Sequence, residues 1–166
     1  MSLPGNFFKN IRVHADGDFF SGDYFLAWME VARRSPERLF YAYTKNLPVW
    51  VRYMKLVPSN FVLTASRGGK WDNLIDEHNL RNVTVIYHPT AAKEMGLLID
   101  HDDSLARADD GKSFALLIHG AGAAGSEHNK ATSRLRKEGV QFSYPGVKSQ
   151  NKKHLARKRK AATKKR

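Results

Sequence analysis

Cysteine is absent from this 166-residue chain. Its absence excludes disulfide bonds, thiolate zinc sites and any cysteine-ligated iron–sulfur cluster, and it favours a reducing compartment. No apolar run approaches the roughly 20 residues that a membrane-spanning helix requires. The first residues, Met1 to Asn10, lack the charged and apolar regions of a signal peptide. We therefore expect a cytoplasmic protein with no membrane partner, and the sequence leaves any other cofactor open.

Acidic residues are absent from the C-terminal tail, residues 148–166, which holds ten Lys or Arg. The preceding 147 residues carry 18 basic and 16 acidic side chains, so most of the net charge of +12 lies in the tail. Since the tail has few apolar groups, we expect it to be disordered and to bind DNA or RNA phosphates without sequence specificity. It has no aromatic residue to stack on bases. The alternatives are a solubilising tail and a nuclear-import-type signal, since two basic clusters are separated by a short linker. The candidate nucleic-acid-binding residues are Lys152, Lys153, Arg157, Lys158, Arg159, Lys160, Lys164, Lys165 and Arg166.

Short apolar runs alternate with helix-like segments, which predicts one α/β domain, 1–147, before the tail. Continuous apolar runs are typical of parallel strands buried on both faces. We expect a mainly parallel sheet of about five to seven strands with crossover helices, either an open sheet or a partial barrel. The predicted strands are Ile11–Ala15, Leu39–Tyr43, Phe61–Ala65, Val83–Tyr87, Leu97–Ile99, Phe114–Ile118 and Val140–Tyr144. The predicted helices are Ser21–Arg34, Val49–Leu56, Trp71–Glu77, Ala91–Met95 and Ser126–Lys137, and Arg107–Lys112 is a predicted polar turn.

Polar side chains follow several predicted strands, at the ends where parallel α/β proteins bind ligands. The candidate acid–base catalysts are His14, Asp16, Asp18 and His119. Asp16 and Asp18 are also the candidate ligands of a hard divalent metal. Lys45 and Arg67 follow the second and third strands and are candidates for holding an anion. The alternative is that these residues make turns and cap helices, for which Asp and Gly are well suited.

A glycine-rich stretch runs from Gly120 to Gly125 and matches the pattern G-x-G-x-x-G. It lies between a predicted strand and a predicted helix, so Gly120, Gly122 and Gly125 are candidate phosphate-binding residues. The context departs from a dinucleotide fold, because the stretch lies late in the domain and no acid ends the following strand. It also departs from a P-loop, since Ser126-Glu127 replaces Lys-Ser/Thr. A flexible glycine loop is the alternative.

Three segments carry a resemblance to a known family: His14–Phe20 with Tyr24 and Trp28, Phe40–Lys45, and Asp102–Ala106. Between Ile11 and Gly146 the sequence resembles the phage gene 88 protein family, first named from mycobacteriophages. The resemblance implies an origin in a phage or prophage and an α/β body, and it supplies no substrate. Larger proteins of this type carry cysteine clusters and resemble a partial radical-SAM barrel. This chain has no cysteine, so cluster-dependent catalysis is not implied for it.

Three functions remain open from the sequence. The first is a phage-type protein that acts on or near nucleic acid through its tail, in the host cytoplasm. The second is an enzyme that binds a nucleotide or phosphorylated substrate at the strand ends, with or without a metal. The third is a phage module that binds a host protein. The separation of charge between body and tail favours the first.

Overall fold

The computed structural model describes residues 9–120 and 122–140, and these residues contain six strands in one sheet. The strands are β1 (Asn10–Arg12), β2 (Leu39–Thr44), β3 (Phe61–Ser66), β4 (Asn82–Ile86), β5 (Ile99–Asp100) and β6 (Phe114–Leu117). All run parallel, in the hydrogen-bonded order β1-β2-β3-β4-β6-β5. The predicted α/β class with a mainly parallel sheet is therefore confirmed. The predicted strand beyond Val140 and the tail lie outside the described residues.

Helices connect the strands. They are α1 (Gly22–Arg33), α2 (Leu47–Tyr53), α3 (Asn73–Glu77), α4 (Pro89–Glu94), α5 (Ser104–Arg107) and α6 (Glu127–Lys137), and a 3-10 turn (Met54–Leu56) follows α2. Serine caps set two of the helix starts: the Ser21 hydroxyl accepts from the Tyr24 amide at 3.2 Å, and Ser126 accepts from Asn129 at 3.2 Å. Pro48 lies in the first turn of α2, where a missing N–H costs nothing.

Two differences from the predicted elements occur at residues with a left-handed backbone. The first strand ends at Arg12 rather than Ala15, because His14 has φ 64° and turns the chain out of the strand. The helix α5 was not predicted, since Asp103 before it has φ 63° and the helix spans only four residues. Non-glycine residues rarely adopt this conformation, although Asp tolerates it better than most. The predicted polar turn at Arg107 therefore begins inside a helix.

The chain divides into two compact units, and the first combines the described part of Met1–Val85 with Asp103–Ala115. In this unit the helices α1, α2 and α3 cover one face of the strands. Phe25 and Met29 from α1, Trp50 from α2 and Ile75 from α3 join one buried cluster with strand residues such as Phe40. Burial of this apolar surface is the main force that holds the helices to the sheet.

The opposite face of the same strands carries α5. In β2, Tyr41 and Tyr43 alternate with the core residues Phe40 and Ala42, so the two tyrosines point away from α1. The helix α5 contacts β2 and β3. Arg81 stabilises the position of α5 and the loop after it. Its guanidinium donates to the backbone carbonyls of Leu105, Ala106 (3.4 Å) and Lys112 (3.0 Å).

The second unit comprises Ile86–Asp102 and the described part of Leu116–Arg166. The Ile118 amide donates to the Ile86 carbonyl at 2.9 Å. Thr132 and Leu135 are the buried residues of α6, and five of its eleven residues are exposed. Within the described ranges, no helix is long and apolar enough to cross a bilayer.

Candidate functional site

Asp103 is the centre of a polar cluster on the α5 face of the first unit. Its carboxylate accepts from the Tyr41 hydroxyl at 3.0 Å, the Tyr43 hydroxyl at 3.3 Å and the Arg12 guanidinium at 3.4 Å. The Asp103 side chain is only 12% exposed. The cluster thus joins β1, β2 and the start of α5 through a buried charge that is both paired and hydrogen-bonded, as a buried carboxylate requires.

The electrostatics of this cluster keep Tyr41 protonated. Burial and the neighbouring Asp103 carboxylate raise the pKa of Tyr41 to about 12. Tyr41 therefore stays a hydrogen-bond donor to Asp103 well above neutral pH. Arg12 also lies over the Tyr43 ring, with its guanidinium carbon 5.0 Å from the ring centroid. The sequence did not predict this cluster as a site. The pattern that could have indicated it is the family resemblance, because two of its segments contain Tyr41, Tyr43 and Asp103.

Asp18, a predicted catalytic and metal-binding residue, connects the loop after β1 to the end of β2. One carboxylate oxygen accepts from the Thr44 hydroxyl at 2.6 Å and from the Phe19 amide at 2.7 Å. The other accepts from the Lys45 amide at 2.7 Å. Asp16 is exposed and accepts from the Gly17 amide at 3.0 Å. Among the described residues no three His, Asp or Glu side chains form a group that could hold a metal, and a metal at Asp16 and Asp18 stays a prediction.

His14 lies in an aromatic cluster rather than in an open polar elbow. Its Nε2 atom is 3.1 Å from the Tyr24 hydroxyl, and its ring stacks on Tyr24 and meets the edges of Phe19 and Trp28. Its Nδ1 atom is buried and has no hydrogen-bond partner within the described chain. Burial lowers the pKa of His14, and the negative charge of Asp18 only partly opposes this. These surroundings favour the neutral form of His14, and a catalytic role for it stays a prediction.

The lowered pKa of His14 predicts a loss of stability in mild acid. Below its ordinary pKa of 6.5 the unfolded chain takes up a proton that the native state resists, so this contribution is complete above that pH and is lost as the pH falls. In urea unfolding between pH 8 and 5, a His14→Asn variant should show a flatter pH dependence than the wild type. Asparagine tolerates the left-handed backbone at this position.

The exposed His101 supplies the matched control. His101→Asn removes a histidine elsewhere in the chain, and the effect assigned to His14 is the difference between the pH dependences of the two variants. Equal slopes for the wild type and His14→Asn would contradict the assignment to His14.

Lys45 and Arg67, the predicted anion-binding pair, lie beside a carboxylate of the chain itself. The Lys45 ammonium donates to the carbonyls of Ser66 at 2.9 Å and Arg67 at 2.7 Å. Asp72 accepts from the amides of Gly68 at 2.8 Å and Gly69 at 2.9 Å. Burial favours neutral Asp72, but these hydrogen bonds and the charges of Lys45 and Arg67 lower its pKa. Binding of an external anion here stays a prediction.

The glycine-rich stretch belongs to the second unit. Gly120 and Gly125 have φ 89° and 78°, the region that favours glycine. A Cβ atom at Gly122 would lie 2.8 Å from the His128 side chain, so packing also requires glycine there. The nearby His119 Nδ1 atom is 3.1 Å from the Leu117 carbonyl. Phosphate binding by this stretch and catalysis by His119 stay predictions.

His88 links the end of β4 to the end of α6 in the same unit. Its Nδ1 atom accepts from the Thr90 amide at 3.3 Å and caps α4. The imidazole proton is therefore on Nε2, which lies 2.9 Å from the Glu138 carboxylate. Arg134 and, to a lesser extent, His88 lower the pKa of Glu138 by hydrogen bonding to it.

These features define an α/β protein with an all-parallel sheet, in which two buried or half-buried carboxylates bind strand ends and loops together. A family model described as Gene product 88 matches residues 4–139, and the chain belongs to this family. The Gene 88 protein of Mycobacterium phage L5 is 51% identical over 37 residues, which are 22% of this chain and 16% of that relative. The match thus covers about a sixth of the relative. No solved structure matches the chain.

The family assignment confirms the resemblance, and the structure shows how the residues that carry it interact. The three segments that carry it contact one another: Asp18 of the first binds Thr44 of the second, and Asp103 of the third binds Tyr41 and Tyr43 of the second. The motif residues are therefore partners in the same hydrogen bonds. These hydrogen bonds give the motif residues a structural role in the fold.

Proposed function

We propose that this phage-family protein acts on or near nucleic acid and that its basic tail supplies the electrostatic part of the binding. The observation that carries the proposal is the separation of charge. Residues 148–166 hold ten cations and no acid, whereas the rest of the chain is close to neutral. Such a segment neutralises phosphates and releases their counterions, which gives affinity without sequence specificity.

The tail contributes contacts to phosphates and no contacts to bases. Because it has no aromatic residue, it binds the backbone of DNA or RNA and does not stack on bases. Alanine, leucine, lysine and arginine favour a helix, so the segment is also suited to becoming helical against a nucleic acid. The binding takes place in the host cytoplasm, where a phage protein meets DNA and RNA.

Deletion of residues 148–166 tests the proposal. Wild-type protein should bind labelled DNA and RNA in fluorescence anisotropy, with an affinity that falls steeply as salt is raised, and the truncated protein should lose this binding. Binding is lost because the cations that neutralise the phosphates are removed. Each phosphate contact removed also lowers the salt slope, which is the slope of log affinity against log salt concentration, by about 0.7 to 0.9. The measurement is the dissociation constant over a series of salt concentrations.

Matched substitutions separate charge from sequence in the tail. Replacing Lys158 and Lys160 with arginine keeps the charge and should leave binding unchanged, whereas replacing them with glutamine should weaken it. Unchanged binding by the truncated protein at low and moderate salt would contradict the proposal. Retention of a host protein by the full chain after nuclease treatment, together with no binding to labelled DNA or RNA, would favour the host-protein alternative.

A further inference from the structure

We propose that the exposed face of α6 and the end of β4 form a groove that binds single-stranded nucleic acid, with Tyr87 stacking on a base. This inference rests on the proposed function and assigns a part of it to the folded body. The groove consists of two adjoining cavities of about 450 and 460 Å³. Its lining includes Tyr87, His88, Lys130, Arg134 and Lys137. We call it the α6 groove.

The cations of the α6 groove lie along one face of the helix. Lys130, Arg134 and Lys137 are spaced four and three residues apart, so their side chains follow one another along the axis. Lys130 and Arg134 line both cavities, and the side chain of each is 66% exposed. This arrangement is a row of donors that can contact successive phosphates of one strand.

Tyr87 gives the groove the aromatic surface that the tail lacks. It directly follows β4 and is 51% exposed, so its ring is accessible to a ligand. Stacking on an aromatic ring requires a base that is not already paired and stacked, so a groove of this kind favours single strands over duplexes. Beside it, hydrogen bonds to Thr90 and Glu138 hold His88 in place, which fixes the wall next to the tyrosine.

Two acids in the α6 groove set its affinity without blocking it. Glu127 pairs with Lys130 at 2.8 Å, and Glu138 pairs with Arg134 at 2.8 Å. Exposed ion pairs of this kind are weak, so a phosphate can replace the carboxylate as the partner of each cation. The acids reduce the affinity for a phosphate backbone, and neutralising one of them should increase it.

The chain connection places the basic tail within reach of the same strand. Lys148 is ten residues beyond Glu138. An extended chain spans at most about 3.5 Å per residue, so the first tail cation can lie up to roughly 35 Å from the end of α6. A strand in the groove and phosphates bound by the tail can therefore belong to one nucleic acid molecule, which raises the effective concentration of each site for the other.

Substitutions in the full-length protein test the groove, with an oligothymidine and a duplex of the same length as probes. Tyr87→Ala should weaken binding of the single strand about tenfold and leave duplex binding unchanged. Tyr87→Phe should retain wild-type affinity, because the ring and not the hydroxyl stacks. Lys130→Ala should lower the salt slope on the single strand by about 0.7. Glu127→Gln should strengthen single-strand binding.

Matched controls come from the first unit. Phe20 is 78% exposed and Lys55 is exposed, and neither lines the groove. Phe20→Ala and Lys55→Ala should therefore have no effect on the ratio of single-strand to duplex affinity. If Tyr87→Ala behaves like Phe20→Ala, or if Glu127→Gln does not strengthen binding, the groove assignment is overturned.

The outcomes also separate the groove from the tail. If tail deletion abolishes binding while Tyr87→Ala changes nothing, the proposed function stands and the groove falls. If Tyr87→Ala weakens single-strand binding while tail deletion does not, the tail proposal falls and the groove stands. Thermal unfolding of each variant shows whether a loss of binding reflects a loss of the folded state.

Discussion

Replacing Asp103 with alanine is expected to lower the free energy of unfolding by about 4 kcal/mol. The substitution leaves the Arg12 guanidinium and the Tyr41 and Tyr43 hydroxyls without the carboxylate that now accepts from all three. It also places alanine at φ 63°, a conformation that costs a residue with a Cβ atom about 1–2 kcal/mol. Chemical denaturation at neutral pH measures the loss.

Two further substitutions at Asp103 separate the backbone from the side chain. Asp103→Gly removes the same acceptor but suits the left-handed backbone, so it should be about 1 kcal/mol less damaging than alanine. Asp103→Asn keeps an acceptor and tolerates the backbone but removes the charge, and it should cost about 2 kcal/mol. Tyr41→Phe, which removes one donor and leaves the carboxylate, should cost about 1 kcal/mol. If alanine costs no more than Tyr41→Phe, the cluster does not stabilise the first unit.

Replacing Asp18 with alanine is expected to lower the free energy of unfolding by about 3 kcal/mol. The carboxylate accepts three hydrogen bonds, and one donor is the Thr44 hydroxyl, whose residue is 2% exposed. Asp18→Asn keeps one acceptor oxygen but turns an amide N–H₂ toward the Lys45 amide, so an intermediate loss of about 1.5 kcal/mol is expected. The exposed Asp16 provides the matched control, and Asp16→Ala should stay within about 0.5 kcal/mol of the wild type.

The Asp16 and Asp18 variants also test the predicted metal site. A rise in the melting temperature of the wild type with Mg²⁺ or Mn²⁺, which is absent in Asp16→Asn, would support metal binding. Asp16→Asn is the informative variant because it leaves the hydrogen bonds of Asp18 in place. If neither ion shifts the melting temperature of the wild type, the two aspartates act only in the turn.

The strands could be predicted because each one is a short run of apolar residues with turn residues on both sides. Phe61–Ser66 and Leu39–Thr44 differ from their predicted ranges by one residue. Prediction failed where one residue changes the chain direction, at His14 and Asp103. Nothing in the residue type requires a left-handed backbone at these positions, since histidine and aspartate adopt ordinary φ values in most contexts.

The candidate site was less predictable because its contacts span long stretches of sequence. Asp103 binds Tyr41 across 62 residues and Arg12 across 91. Which side chain an aspartate meets depends on the strand register and on the face to which each strand residue points, and neither is visible in a local pattern. The prediction did select Asp18, because it lies in a polar loop after a strand. It could not reveal that the partner of Asp18 is Thr44 at the end of the next strand.

The discontinuity of the first unit bears on how the chain is made. Its two parts, Met1–Val85 and Asp103–Ala115, are separated in sequence by a segment that belongs to the second unit. On the ribosome the first 85 residues therefore emerge before the carboxylate that Arg12, Tyr41 and Tyr43 bind. Contacts across such long separations form late and slow folding. The α1–α3 side of this unit can consequently condense during synthesis, whereas the α5 side closes only after Asp103 has left the exit tunnel.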